Sequence, residues 1–216
     1  MKSDRTKSIT FLHILLIAAV LELFLAYTQD GFSIDLEFIH NWGVRMHEVG
    51  FSRFYGPEVQ MPYPPGYLYV VFVLQWVINL LQITDISIIY FIYKIPPIFC
   101  DLCSGVILYK LALERQMTKK KATVLAALYM FNPAVVINSA VWGQVDSCFT
   151  LFILLMCLFL SKKKFGMACL MFGIGMMVKQ QTMAFAPVLL WGLIDQTIID
   201  DKFSLNKLGG VFLKAF

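Results

Sequence analysis

Polar positions in this chain fall in short groups between long apolar runs. Residues 9–28 are almost all apolar and follow a basic start. That is enough for one helical span of about 20 residues, and no A-x-A cleavage site ends it, so it reads as a first span rather than a signal peptide. Residues 29–64 are polar and aromatic. Within them Leu36, Ile39, Trp42, Met46 and Val49 recur near helical spacing, with Glu37, Asn41, Arg45 and Glu48 on the opposite face. This pattern predicts an amphipathic helix lying in the membrane interface, ended by Gly50. Pro62-Tyr63-Pro64-Pro65-Gly66 then forms a rigid entry to the next apolar run, about 67–83, because proline suits a first helical turn but not a helix interior. Asp85 breaks that run. A third, about 86–112, is interrupted by Lys94, Pro96, Pro97 and Asp101. Residues 122–161 read as a helical hairpin with a polar tip between Asn132-Pro133 and Asp146. Residues 165–194 repeat the pattern around Lys179-Gln180-Gln181-Thr182.

These runs predict an all-α polytopic transmembrane bundle of about six to seven spans, with an interfacial amphipathic helix in a first external loop at 29–65. Composition agrees. Of 216 residues, 59% are hydrophobic and 15% charged, against roughly 45–50% and about 25% in soluble domains. There is no room for a separate soluble catalytic domain, so 1–216 reads as a single membrane module whose chemistry sits on short loops and helix ends.

The positions of the positive charges set the expected sidedness. Lys2, Arg5 and Lys7, then Lys110, Arg115 and Lys119 to Lys121, then Lys162 to Lys164 form three clusters, and such clusters face the cytoplasm. The expectation is a multi-pass protein of the cell (plasma) membrane, with its N-terminus cytoplasmic and residues 29–65 outside. The clusters are short and lie between apolar segments, which argues against a nucleic-acid partner and for the lipid bilayer. One conflict remains: residues 66–115 must cross an odd number of times, yet they look like two spans. The options are a re-entrant half-helix at 86–95 or a cluster that breaks the charge rule.

Carboxylates and lysines within apolar runs cost at least about 2.5–3.5 kcal/mol each on insertion scales, so they are candidate site residues. Asp101 either serves a cavity or pairs with Lys94. Asp146 serves the site or N-caps the returning helix, a role Ser147 also suits. Lys179 binds a phosphate or marks a helix end. Asp35, just beyond the first span, is a candidate general base at the membrane surface or an N-cap; Glu37 and Glu58 are nearby alternatives. His40 and His47 share a helical face, a weak metal signal, and no metal site is assigned. Divalent-metal dependence stays open. Cys100 and Cys103 lack a second pair to complete a zinc site and read as packing residues.

An acidic residue after the first span, an interfacial helix carrying tryptophan, and Tyr63-Pro64-Pro65-Gly66 opening the next run resemble the GT-C superfamily of polytopic glycosyltransferases. The stretch from Asn132-Pro133 to Trp142-Gly143-Gln144-Val145-Asp146 resembles bacterial proteins related to the second mannosyltransferase of GPI-anchor synthesis. The order tyrosine-proline-proline, asparagine-proline and then Lys179-Gln180 is also similar to dolichol-dependent glucosyltransferases. This resemblance implies a hexose, mannose-like, carried on a polyprenyl phosphate and transferred with inversion to a hydroxyl of a glycan or lipid-linked acceptor. It implies Asp35 as the catalytic base and Arg45, Arg53 and Lys179 as candidates for the phosphate. Asp101 and Asp146 would line the cavity and orient donor or acceptor, and Tyr63, Trp142 and Gln144 would shape it. Such enzymes are longer, with a second external loop for the donor lipid, so the chain is expected to be the N-terminal part of a longer protein. A transporter or lipid flippase using Asp101, Asp146 and Lys179 is the competing expectation, and a non-catalytic membrane scaffold a third.

Overall fold

The computed structural model describes residues 2–57, 59 and 63–198, with the side chains of 2–10 and 195–198 left out of the description. The calls on the Lys2, Arg5 and Lys7 side chains, on Glu58 and on Pro62 lie outside the described residues. Every regular element among the described residues is helical. The elements are α1 (Lys2–Thr28), α2 (Ser33–Val49), α3 (Pro65–Leu80), α4 (Ile86–Glu114), α5 (Lys119–Met130), α6 (Pro133–Val136), α7 (Asp146–Ser161), α8 (Phe165–Val178) and α9 (Ala186–Ile198). The expected all-helical bundle is therefore what forms.

Contacts along the helices give their directions. Phe11 stacks on Tyr109 with ring centroids 4.1 Å apart, and Tyr27 meets Phe91 edge-on, so α4 runs antiparallel to α1. From Lys119, α5 returns along both and continues, bent by 43°, through Pro133–Trp142. The bend follows from Asn132-Pro133: Asn132 Oδ1 accepts from the Ala134 N–H at 2.9 Å, capping a new helix with proline in its first turn. α7 runs back to the basic end, where Ser161 and Lys162 both reach Glu114 at 3.0 Å. α8 returns to the far end, and α9 turns back so that Gly192 lies against Leu160. Among the described residues, six passes thus connect the two ends. Among the described residues, the helices long and apolar enough to cross a membrane are Phe11–Thr28 and Ile86–Glu114; the bent pair Lys119–Met130 and Pro133–Trp142 is a broken span or a re-entrant loop, and α3, α7 and α8 are shorter apolar helices.

The conflict over residues 66–115 is resolved by α3. It is not a pass of its own. It lies antiparallel to α2, with His47 stacked on Phe72 at 4.4 Å, Phe51 on Tyr69 at 4.8 Å, and His40 Nδ1 3.2 Å from Gln75 Oε1. It meets α4 at its first turns, where the Tyr93 hydroxyl donates to Gln75 Oε1 at 2.6 Å, and α8 at its last turn. All these contacts lie at the end away from Lys110–Lys121 and Lys162–Lys164. Residues 66–115 run once from one end of the bundle to the other, through α4, which is continuous over 86–95 rather than a half-helix. Both prolines are accommodated within α4.

The amphipathic helix forms as expected, with Leu36, Ile39, Trp42 and Met46 buried and Glu37, Asn41 and Glu48 exposed. Its apolar stripe is covered by protein rather than left for lipid: these residues share one core with Leu68, Val71 and Ile78 of α3, Tyr93 of α4, Val145 just before α7 and Cys148 of α7. Gly50 ends α2 at φ 73°, its N–H bonded to Met46 O, as a glycine permits.

The Lys94–Asp101 pair, one of the two readings of Asp101, does not form. Lys94 is fully buried, and its ammonium donates to the carbonyls of Gln29 at 2.6 Å and Ala26 at 3.3 Å. Seven residues separate Lys94 and Asp101 by about 10 Å along the helix. Helical side chains lean toward the N-terminus, which carries Lys94 away from Asp101 and onto the carbonyl end of α1. A cation there satisfies orphan carbonyls and complements the helix dipole.

Candidate functional site

The polar residues at the end opposite the basic clusters gather around the turn between α6 and α7. After Val136 the helix widens over Ile137–Trp142 into π-type turns, a distortion frequently found at functional sites. Gly143, at φ 89°, closes it, and the N–H groups of Gly143 and Gln144 both donate to Asn138 O. The loop before α2 docks on this turn through Phe32 N–H to Trp142 O at 3.1 Å, and the two rings lie 5.2 Å apart. This docking brings Asp35 to Trp142 and Gln144.

Asp35 does not cap α2. Phe32 occupies the cap position and makes no side-chain bond, while Asp35 stands in the first turn, where the dipole favours an anion. Its Oδ2 accepts from Trp142 Nε1 at 2.9 Å and from Gln144 Nε2. Among the described residues, Oδ1 receives no hydrogen bond. The carboxylate is half-buried and held by one oxygen, with the other open.

Tyr63 connects this group to a second one. Its hydroxyl donates to Gln144 Oε1 at 3.5 Å, its ring lies 5.1 Å from that of Trp42, and Lys179 Nζ stands 5.4 Å from its centroid. Burial pushes the Tyr63 phenol above its ordinary range, against the opposite pull of Lys179, so the group stays an O–H donor. Lys179 forms an ion pair with Asp146 Oδ1, and Asn138 Nδ2 donates to Asp146 Oδ2 at 3.4 Å. Asp146 is the first residue of α7 rather than its cap, which is Val145. Lys179 follows the last residue of α8, so it stands at a helix end, paired there with Asp146.

The structure thus brings together Asp35, Tyr63, Trp142, Gln144, Asp146 and Lys179. It separates three others from them. Arg45 donates to the carbonyls of Phe54 at 3.2 Å and Arg53 at 3.5 Å, fastening the loop after α2, and Arg53 is exposed on that loop. Asp101 is fully buried, away from any open surface. Its Oδ1 accepts from Tyr129 at 3.1 Å and from Ser147, and Ser147 also meets Ser139 at 2.7 Å. It therefore lies beneath the first turn of α7 instead of lining a cavity. Asn138 is a site residue that sequence reasoning left unassigned. Its signal was present, as a polar side chain on the same stretch as Trp142 and Gln144. Of the histidines, His40 faces Gln75 and His47 Nε2 lies 3.1 Å from Phe72 O.

Chemically, the arrangement offers an open carboxylate oxygen for taking a proton and, a few residues away, a cation for stabilising a leaving anion. The family model of glycosyltransferase family 87 matches residues 62–193. That stretch includes Tyr63, Trp142, Gln144, Asp146 and Lys179, while Asp35 lies before it. No curated protein and no solved structure matches the chain.

Proposed function

We propose, for a chain that belongs to glycosyltransferase family 87, that it moves a mannose-like hexose from a polyprenyl phosphate to an acceptor hydroxyl with inversion, Asp35 being the general base. The observation that carries this reading is the half-held carboxylate of Asp35. Trp142 and Gln144 both donate to Oδ2, which fixes the orientation of the group. Oδ1 is left to accept the acceptor's hydroxyl proton as the oxygen attacks the anomeric carbon. The polyprenyl phosphate departs from the opposite face, and inversion follows from that in-line geometry.

The leaving phosphate needs donors or positive charge placed before the reaction. Lys179, beside Tyr63 and Asp146, supplies it, whereas Arg45 is committed to its own loop. Asp146 and Asn138 keep the ammonium in place between turnovers. Tyr63, Trp142 and Gln144 form the wall between base and cation. A glycan or lipid-linked acceptor would reach this end of the bundle from the aqueous side, and a lipid-borne donor from the bilayer. The placement of every described basic cluster at the other end supports an external site in the cell membrane with a cytoplasmic N-terminus.

The test is product analysis. Membranes holding the intact enzyme are incubated with a polyprenyl-phosphate mannose donor, and the product's anomeric configuration is read by NMR. An inverted glycoside, absent with a nucleotide-sugar donor alone, supports the reading. Transfer directly from the nucleotide sugar contradicts it.

A further inference from the structure

Two serines lie next to site residues but turn inward. Asn138 and Ser139 are neighbours in the π-type turns, and Asp146 and Ser147 are neighbours at the start of α7. The two segments are joined by two rungs. On the site side, Asn138 Nδ2 donates to Asp146 Oδ2 at 3.4 Å. On the inner side, Ser139 Oγ and Ser147 Oγ lie 2.7 Å apart. Ser139, Ser147 and Asp101 are all buried, so water does not compete for their bonds.

Counting protons gives the inner rung a direction. A serine hydroxyl carries one proton. Ser147 gives its proton to Asp101 Oδ1 at 2.5 Å, so Ser139 is the donor to Ser147. Tyr129 on α5 gives a second O–H to the same oxygen at 3.1 Å. The bonds therefore run from Ser139 to Ser147 to Asp101 and end on one oxygen of α4. Without that acceptor, the Ser147 and Tyr129 hydroxyls are left buried and unsatisfied, and the inner rung loses its fixed direction.

We infer that Asp101 is a positioning residue, which holds the π-type turn against the first turn of α7 through Ser147 and Ser139. The turn carries Trp142, and Gln144 follows it; both bond Asp35. The first turn of α7 carries Asp146, the partner of Lys179. Asp101 thereby sets the spacing between Asp35 and Lys179 without touching a substrate. The inference rests on the roles proposed above for those two residues.

The test labels the four tryptophans with 5-fluorotryptophan in the protein in lipid nanodiscs and reads Trp142 by fluorine NMR. Its signal is the one lost in Trp142→Phe. Asp101→Leu and Ser139→Ala shift or broaden it. Asp101→Asn leaves it at the parent position, because the amide keeps Oδ1 for both donors, and Oδ2, which it replaces, receives no hydrogen bond. Met156→Ala, a cavity in the fully buried core of the same helix α7, lowers the melting temperature without moving the signal. In the intact enzyme, kcat for sugar transfer falls by about ten- to hundredfold in Asp101→Leu and recovers in Asp101→Asn. An unmoved Trp142 signal in Ser139→Ala overturns the inference, even where Asp101→Leu fails to fold. So does a signal moved equally by Met156→Ala, an Asp101→Asn as impaired as Asp101→Leu, or a parent-like kcat in Asp101→Leu. The NMR pattern needs no substrate, so it separates this inference from the sugar-transfer reading, whose failure shows as absent transfer by the parent.

Discussion

Asp35 and Trp142 stand 107 positions apart in the chain, and the indole Nε1 of Trp142 donates to Asp35 Oδ2 at 2.9 Å. The carboxylate of the first loop is thus oriented by the turn between α6 and α7. Replacing Trp142 by Phe keeps the ring contact with Phe32 but removes the donor. A hydrogen bond to a charged group contributes about 1.5–3 kcal/mol, so kcat/KM for sugar transfer falls by roughly ten- to hundredfold with the fold intact. Unchanged kcat/KM in Trp142→Phe would show that the bond does not serve the base.

The ion pair between Lys179 and Asp146 is unequal. The Lys179 side chain is 11% exposed and that of Asp146 40%. Losing Asp146 strands a buried ammonium, while losing Lys179 strands a carboxylate that water can reach. Asp146→Asn is therefore the costlier change, by roughly 1 kcal/mol, once solvent screening is allowed for. Chemical denaturation of both variants checks the order. Lys179→Gln should also raise the KM for the lipid donor at least about tenfold while leaving the acceptor KM little changed.

Two glycines fix the site's backbone. A Cβ on Gly143 would meet Leu36 Cδ2 at 2.7 Å, at a φ of 89° that L-residues rarely adopt. A Cβ on Gly66 would lie 2.6 Å from the backbone oxygen of Met177, just before Lys179. Gly143→Ala and Gly66→Ala each destabilise by about 1–3 kcal/mol. Both lower transfer activity, read by thermal unfolding alongside turnover. Parent-like stability in both would mean that neither close approach exists.

Lys94→Met tests the cap on α1. It keeps an apolar stem of similar length but leaves the carbonyls of Ala26 and Gln29 without their donor. A loss of about 1–3 kcal/mol follows, independent of Asp101. A double-mutant cycle with Asp101→Asn should be additive within about 0.5 kcal/mol. Strong coupling would restore the ion pair that the sequence leaves open.

Much of this was legible beforehand, and the misses share a cause. The apolar stripe Leu36, Ile39, Trp42 and Met46 and the entry at Pro64-Pro65 follow local rules of periodicity and proline geometry, and both appear as read. The pairing of Asp35 with Trp142 and Gln144 is a tertiary contact that no local pattern contains, although all three residues could be picked out as polar or aromatic groups in costly or exposed places. α3 was misread as a span because its residues are as apolar as those of a span. What distinguishes it is its partner, α2, whose stripe it covers. Lys94 and Asp101 share a helical face, which invites pairing, but side-chain direction sends Lys94 to the end of another helix. Asp101 was recognised as out of place in an apolar run. That it lies beneath the site, bonded through Oδ1 to Tyr129 and Ser147, depends on two other helices.

The central claim is that the carboxylate of Asp35 takes the acceptor's proton. Asp35→Asn keeps an acceptor oxygen for Trp142 and Gln144 but is not a base. The decisive measurement is single-turnover sugar transfer by this variant in the intact enzyme, with membrane insertion verified in the same preparation. The account predicts a rate lower by about 10²–10⁴-fold or more with donor binding preserved. Transfer at near-parent rate would contradict it.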